Sequence, residues 1–490
     1  MNHVAVDLGA SGGKILRGTI ANGTLDLETV HRFENRPIER DERYVWDVDS
    51  LIRSIVEGLE NVESAGETID TLGVDTWGVD FGLYADGELL CDPYAYRDPT
   101  LESTLDDVLE TVSKREIFEA TGINHWNVTN TLWQYHYLWQ EEPEIVEEAD
   151  SMVMMPQVIA ERLGADPSSE LTIASTTQML DPETGEWASD LLDRLDLPRE
   201  LLPEISDIGS SIGTLRTDAL SDVDSEAEIL LPVSHDTGAA VTGLPLSGTD
   251  RTFLSTGTWF VSGIEVDEPI LTDDAFEFGA SNELGIDGSV RFLKNVTGFF
   301  LFEECRKIWA DSDVDHSYDT LIREARSPER DGPLIDPDDD RFSIEGDMVE
   351  DVGAYCRETD QSVPGSAGEV TRSIFESLAV KTALTIERLE SIAGTDSDVV
   401  YLGGGGVRNE LFCQMLASAL GRPVRTGPVE STAVGNVLSQ AEATGRIVSI
   451  EAGREVVESS IDGSEFTPQD ETYWDSRRKD LRSLLEDDWA

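Results

Sequence analysis

The chain opens on short apolar runs broken by glycine. His3–Asp7, Ile15–Ile20 and Thr24–Phe33 read as three consecutive strands, turned first at Gly9, Gly12 and Gly13. The second turn, Asn22-Gly23, is the strongest short hairpin signal a sequence carries. Asp49 is placed to cap a helix reaching about Ala65, with Leu51, Ile52, Ile55, Val56 and Leu59 on one stripe. Thr71–Asp75 and Val79–Tyr84 follow as strands, the second turned by Ala85-Asp86-Gly87. The stretches near 101–119 and 129–163 read as mostly helical. Asp181 to Gly185 then turns into a short helix with Leu191, Leu192 and Leu195.

Near 245 the pattern restarts, with a strand at Thr252–Ser255, a turn at Gly257 and a returning strand at Trp259–Ile264. A long helix over 368–391 carries Phe375, Leu378, Ala379, Ala383, Ile386 and Leu389 at helical spacing. Val399–Leu402 is a buried-type strand running into Gly403 to Gly406, and helices follow at 408–420 and 431–444. Strand–helix alternation in two similar halves predicts an α/β fold of two domains with a cleft between them. The halves divide as 1–244 and 245–446. The remainder, 447–490, carries no motif, and its helix at about 473–486 can meet a second copy in a homo-oligomer.

Charge narrows the classes of function. The 490 residues include 99 acidic against 36 basic ones, a net charge of −63, while 39% are hydrophobic. An ordinary apolar share excludes a disordered chain, and a polyanion repels nucleic acid. No apolar run approaches the roughly 18–20 residues that span a bilayer, and the start lacks a basic and apolar leader. A cytoplasmic protein without membrane partners is expected. The carboxylates are spread along the chain and there are only six lysines. That combination predicts a salt-rich cytoplasm, where the Debye length shrinks to about 3 Å at 1 M and self-repulsion is screened; a merely acidic mesophilic protein is the alternative. Cys91, Cys305, Cys356 and Cys413 are far apart, so reduced thiols are expected. The histidines show no metal-site spacing.

Five segments carry candidate chemistry. In Asp7-Leu8-Gly9-Ala10-Ser11-Gly12-Gly13-Lys14, glycines turn backbone N–H groups toward an anion, Ser11 adds a hydroxyl and Lys14 a charge. Asp7 at the strand end can hold a hydrated Mg²⁺. A plain tight hairpin is the alternative. Leu254 to Trp259 repeats the strand–turn–strand design; alone it reads as a plain glycine hairpin, and as the second such turn, opening the other half, it reads as a second phosphate jaw. Gly403 to Gly406 permits close approach of a flat ligand such as a purine and its ribose, or is simply a strained turn. In Val233 to Ala240, Asp236 is either the base that takes a proton from an attacking hydroxyl or a helix N-cap. Asp75-Thr76-Trp77-Gly78-Val79-Asp80-Phe81 combines carboxylates, an aromatic plate and a glycine suited to a polyol; the alternative puts Trp77 in the core.

Taken in order, these segments resemble the FGGY carbohydrate kinases of the sugar kinase/heat-shock/actin superfamily. The matching runs are DLGASGGK at 7–14, WDVDSL at 46–51, DTWGVDF at 75–81, AYRD at 95–98 and NTLWQ at 130–134. SHDT at 234–237, STGTW at 255–259, LKNVTG at 293–298, DPDDDRF at 336–342, GGGVRN at 404–409 and GPVESTAVGN at 427–436 complete the series. The resemblance implies two actin-like (ribonuclease H-like) domains and transfer of the ATP γ-phosphoryl group, with Mg²⁺, to the 1-hydroxyl of a ketose. L-rhamnulose is the first expectation and L-fuculose, D-xylulose and D-ribulose the alternatives; a non-catalytic actin-like ATP-binding protein is the rival class. It implies that Ala10, Ser11, Gly12, Gly13 and Lys14 form the phosphate loop and that Thr258, Glu303 and Gly405 face the nucleotide. Gly78, His235, Asp236, Thr237 and Asn295 would hold the sugar, with Asp236 as proton acceptor. Lys14 stands where the pattern usually has arginine, Gly13 where it has serine, Gln157 where it has aspartate and Glu303 where it has glutamine.

Overall fold

The computed structural model describes residues 1–126, 129–216, 226–249, 251–310, 315–326, 332–342 and 346–485. The chain forms two compact units, neither contiguous in sequence. The first gathers Met1–Pro245, Val266–Phe292 and Glu430–Ile461; the second gathers Leu246–Glu265, Leu293–Val429 and Asp462–Ala490. The region after 446 is therefore shared: the helix Ile450–Ser460 belongs to the first unit and the helix Glu471–Arg482 to the second. Residue 486, where the sequence places the end of that last helix, lies outside the described residues.

In the first unit a six-stranded sheet runs in the order Ser211–Thr214, Glu228–Leu230, Thr71–Thr76, His3–Gly9, Gly12–Ala21, Thr24–Glu34. Its middle is parallel: Thr71–Thr76 pairs in parallel with both His3–Gly9 and Glu228–Leu230. The hairpin that closes one edge forms because Asn22 and Gly23 both take left-handed φ, 53° and 75°. Val4, Val6, Leu8, Leu72, Val74 and Ile229 pack under the helix Val48–Ser64. Asp47, not Asp49, caps that helix; its carboxylate accepts from the Ser50 N–H, and Asp49 sits in the first turn. On the other face, Ala5, Leu16 and Val233 meet Val434, Val437 and Leu438 of the helix Ser431–Ala443. Coverage on both sides explains why the central strands read as continuous apolar runs.

In the second unit the strands Trp259–Val266, Thr252–Thr256, Val400–Gly404, Val424–Thr426 and Glu465–Phe466 are successive neighbours, and of the strand Val290–Thr297 the part from Leu293 on belongs to this unit. Thr252–Thr256 pairs antiparallel with Trp259–Val266 and in parallel with Val400–Gly404. That repeats the first unit, in which the leading strand of the hairpin also has a parallel neighbour. The helix Ala367–Ala393 supplies Phe375, Leu378, Ala383 and Ile386 to the core; Ser366 caps its start and Gly394, at φ 65°, ends it.

Two further expectations change. Residues 99–121 form three short helical pieces, because Ser113 and Glu116 build a capping box that starts a new helix at Lys114. Within 129–163, Ser151–Met154 is a strand paired antiparallel with Phe81–Ala85, and a helix resumes at Met155. The apolar run Met152-Val153-Met154-Met155 suits either element, and the Phe81–Ala85 partner decides it.

Candidate active site

The first unit brings three separated carboxylates to the same end of adjacent parallel strands, where α/β sheets commonly receive ligands. Asp7 and Asp75 are register partners. Thr76 N–H donates to the Ser234 carbonyl at 2.9 Å, and Thr76 bridges to His235, so Asp236 starts its helix beside the same strand ends.

Asp7 is buried, with Lys14 Nζ 3.6 Å from its carboxylate. Burial pushes its pKa up to about 6, opposed by Lys14 and reinforced by the charges of Asp236 and Glu430. Lys14 itself reaches Glu430 at 2.6 Å, and Arg32 holds the other oxygen of Glu430 at 2.7 Å. Asp75 is fully buried. Burial and the neighbouring Asp7 charge raise its pKa well above the carboxylate range, against a 2.6 Å hydrogen bond from Asn436 Nδ2. Its other oxygen, Oδ1, has no hydrogen-bond partner among the described residues.

Asp236 is the first residue inside the helix Asp236–Thr242, and its N-cap position is taken by His235. The capping alternative is therefore not what forms. Asp236 Oδ1 accepts from the Thr237 N–H at 2.5 Å, and its side chain keeps 31% of its surface exposed. Burial raises its pKa, against the pull of His235 and the Thr237 N–H.

The first hairpin turns on Ala10 and Ser11, between the paired Gly9 and Gly12. Asn35, which no sequence signal singled out, holds it: its Nδ2 donates to the Gly9 carbonyl at 3.0 Å. A Cβ on Gly13 would lie 2.2 Å from the Phe33 ring, which accounts for glycine where the pattern has serine.

In the 75–81 segment, Trp77 is core. It is 5% exposed and packs at 4.2 Å between ring centres on Trp46, the two rings tilted by 42°, and Asp80 accepts from both indoles, at 2.9 Å and 2.7 Å. The plate-like role read from the sequence gives way to the packing one. Burial pushes Asp80 up to about 6 despite these donors and Gln134. Beside Gly78, Val79 takes φ 71°, a strained conformation for a β-branched residue. Thr131 Oγ1 and Gln134 Nε2 donate to its carbonyl at 2.7 Å and 3.3 Å, and its N–H donates to Thr176 Oγ1 at 3.3 Å. Gln157 is buried, and its Oε1 has no hydrogen-bond partner among the described residues.

In the second unit, Thr258 is exposed in the turn after Thr252–Thr256. Thr256 Oγ1 donates to the Gly403 carbonyl at 2.6 Å and accepts from the Gly406 N–H at 2.9 Å. A Cβ would lie 2.4 Å from the Thr256 carbonyl oxygen at Gly404, where φ is 80°, and 2.5 Å from Thr256 Oγ1 at Gly406. At Gly405 it would meet nothing within 4 Å. The glycine run thus has two members required by packing and one facing open space. Glu303 is paired with Arg306 at 2.7 Å on the helix Phe300–Ala310, which offsets its charge locally. Asn295 is half-buried on the strand Val290–Thr297. Under that strand, the buried Lys381 holds Asp336 at 2.7 Å and Asp338 at 3.2 Å, and Asp338 accepts from the Thr297 N–H.

A family model described as the N-terminal domain of the FGGY family of carbohydrate kinases matches residues 3–243, and one for its C-terminal domain matches 252–444. The chain belongs to the FGGY family of carbohydrate kinases. A rhamnulokinase of Bacteroides thetaiotaomicron is 38% identical over 97% of this chain and 97% of its own, and one of Bacillus subtilis is 34% identical over 96% of each. The FGGY fold is also that of a ligand-bound xylulose kinase from Lactobacillus acidophilus. The TM-score to it is 0.78 at 17% identity, covering 100% of this chain and 99% of that one. Plasmodium falciparum glycerol kinase with ADP aligns at a TM-score of 0.79 and 14% identity, covering 99% and 97%. As an FGGY chain the protein has the two-domain, actin-like α/β architecture and is a sugar kinase. Among its described residues no helix is long and apolar enough to cross a membrane. The described cysteines are all free thiols.

Proposed function

We propose that the protein is an ATP-dependent rhamnulokinase that transfers the γ-phosphoryl group of ATP to the 1-hydroxyl of L-rhamnulose. The products are L-rhamnulose 1-phosphate and ADP. The observation that carries the reading is near-full-length identity of 34–38% to enzymes named rhamnulokinase.

Asp236 takes the proton of the 1-hydroxyl as that oxygen forms its bond to the γ-phosphorus and the bond to the ADP oxygen breaks. Partial exposure leaves one face of this carboxylate open to substrate, and the Thr237 N–H fixes its direction. Gly78, His235 and Thr237 of the first unit are assigned to the sugar, as is Asn295 of the second, and the strained Val79 backbone lies next to Gly78. Ala10, Ser11, Gly12, Gly13 and Lys14 receive the phosphates; Thr258, Gly405 and Glu303, the last through its Arg306 pair, face the nucleotide. Residues 1–244 thus serve the sugar, the phosphates and the base, and 245–446 the nucleotide. Positioning and charge neutralisation supply most of the acceleration in such a transfer.

Among the described residues no three His, Cys, Asp or Glu side chains converge on a metal ion. Asp7, with the unpartnered Asp75 Oδ1 beside it, suits Mg²⁺ that keeps most of its waters and is shared with substrate phosphates. When bound, that ion neutralises phosphate charge. The diffuse acidity fits a cytoplasm rich in salt.

The reading is tested by ADP release in molar KCl with L-rhamnulose, L-fuculose, D-xylulose, D-ribulose and no sugar. Strongest stimulation by L-rhamnulose is expected. Stronger stimulation by another ketose assigns the enzyme to that sugar, and sugar-independent hydrolysis removes the kinase reading.

A further inference from the structure

Behind Asp236, His235 leads to two buried charged groups, Arg291 and Glu283, to which the proposed chemistry gives no role. His235 Nε2 is 3.4 Å from Asp236 Oδ1. On the other side of the ring, His235 Nδ1 lies 3.3 Å and 3.4 Å from the two terminal nitrogens of Arg291 and 3.4 Å from Glu283 Oε2. Arg291 is 1% exposed; its Nη1 is 3.1 Å from Glu283 Oε2, and its Nη2 donates to the Leu284 carbonyl at 3.0 Å. All four residues belong to the first unit.

A fully buried arginine is costly to desolvate, and breaking its pair is costlier still, so its retention calls for a reason. The surroundings are shaped for it. A Cβ on Gly238, in the first turn of the helix that Asp236 starts, would lie 3.2 Å from the guanidinium carbon. The ring's backbone is fixed as well: the His235 N–H donates to Thr172 Oγ1, and the Ser234 N–H to Glu170.

Guanidinium offers only donors, whereas a neutral imidazole has one donor and one acceptor nitrogen. A ring nitrogen facing two Arg291 donors is matched when it is the acceptor, and the single ring proton then sits on the opposite nitrogen. We propose that Arg291 is a positioning residue: by donating to His235 Nδ1 it fixes the tautomer whose Nε2–H faces Asp236, and Glu283 anchors the guanidinium. Burial alone would raise the pKa of Glu283, but the Arg291 guanidinium beside it pulls it below the usual carboxylate range, so the anchor stays ionised. The other charged or titratable groups near this chain are His125 beside Glu283, Glu170 behind Ser234, and Asp7, Asp75 and Tyr96 toward Asp236. The inference rests on Asp236 as the base and adds what orients that base. A carboxylate that receives an N–H is held in one rotamer and kept ionised, whereas the opposite tautomer would aim a lone pair at it.

The test is long-range ¹H–¹⁵N correlation NMR on the full-length chain labelled with ¹⁵N-histidine, with His235 assigned from His235→Gln. At pH 8 the expected pattern is a neutral ring protonated on Nε2, shifting toward Nδ1–H in Arg291→Met and back in Arg291→Lys. Kinetically, Arg291→Met should lose about 10–100-fold in kcat, the usual penalty for removing an outer-shell partner. The KM for ATP should stay within about twofold, with part of the kcat restored in Arg291→Lys. A wild-type ring protonated on Nδ1, or still doubly protonated at pH 8, overturns the inference, as does an unchanged tautomer in Arg291→Met. If Arg291→Met does not fold, the wild-type spectrum decides. An active Asp236→Asn variant would instead sink the base assignment and leave the tautomer result standing.

Discussion

Asp7 and Asp75 face each other as register partners on neighbouring parallel strands, two buried carboxylates side by side with Lys14 3.6 Å from the first. Like charges at this spacing raise each other's pKa, and desolvation adds to the effect. For Asp75 burial and the Asp7 charge both push upward.

A stability prediction follows from that sign. A carboxyl whose folded pKa exceeds its unfolded value stabilises the fold below the unfolded pKa, and the contribution is lost as pH rises through the folded value. Asp75→Asn imitates the protonated form and keeps an acceptor for Asn436. Its urea midpoint relative to wild type should therefore rise between pH 5 and pH 8. A relative midpoint that falls over that range would show that Asp75 is stabilised as the anion.

The glycine run offers a separation of packing from binding. Gly404→Ala and Gly406→Ala force a methyl onto Thr256 and should cost about 2–4 kcal/mol each, in the range of strained or overpacked sites. Gly405→Ala points into open space. It should leave the melting temperature within a few degrees while raising the KM for ATP several-fold. Thermal melts beside ATP titrations decide it; an unchanged KM would remove Gly405 from the nucleotide site.

Lys14 shares Glu430 with Arg32 and stands near Asp7. Lys14→Met leaves two carboxylates close to the proposed triphosphate and should raise the KM for ATP about tenfold, roughly 1.4 kcal/mol. Lys14→Arg, which keeps the charge, should stay within about threefold. Equal effects of the two substitutions would mean that Lys14 serves the fold alone.

Much of this was legible in the sequence because the signals are local. Asn22-Gly23, the glycines of the first hairpin and the stripe on Val48–Ser64 each set their element with nearest-neighbour physics. Of the candidate site, residue type and spacing singled out Asp236 and the 7–14 loop, each beside a plain structural alternative, and only the resemblance to a kinase family attached a proposed role to them. What stayed hidden depends on contacts between distant segments. Asn436 and Glu430 lie in a recognised run, yet their partners Asp75 and Lys14 are hundreds of residues away. Arg291 and Glu283 stand on an ordinary pair of strands, and nothing in either segment announces His235. Trp77 shows the converse: an aromatic in a binding motif whose indole is spent on Asp80 inside the core.

The net charge of −63 carries its own expectation. Repulsion between exposed carboxylates is screened within about 3 Å at 1 M salt. The melting temperature should climb steeply between 0.1 M and 2 M KCl, and activity should follow it. A flat melting curve with full activity in dilute buffer would contradict the salt reading.

The most direct test of the central claim is the single-turnover rate of Asp236→Asn with saturating ATP and L-rhamnulose, alongside ADP binding by calorimetry. Phosphoryl transfer should fall by about 10²–10⁴-fold, the scale of general-base loss, with ADP affinity within about twofold. A variant that keeps a tenth of the wild-type rate would contradict it.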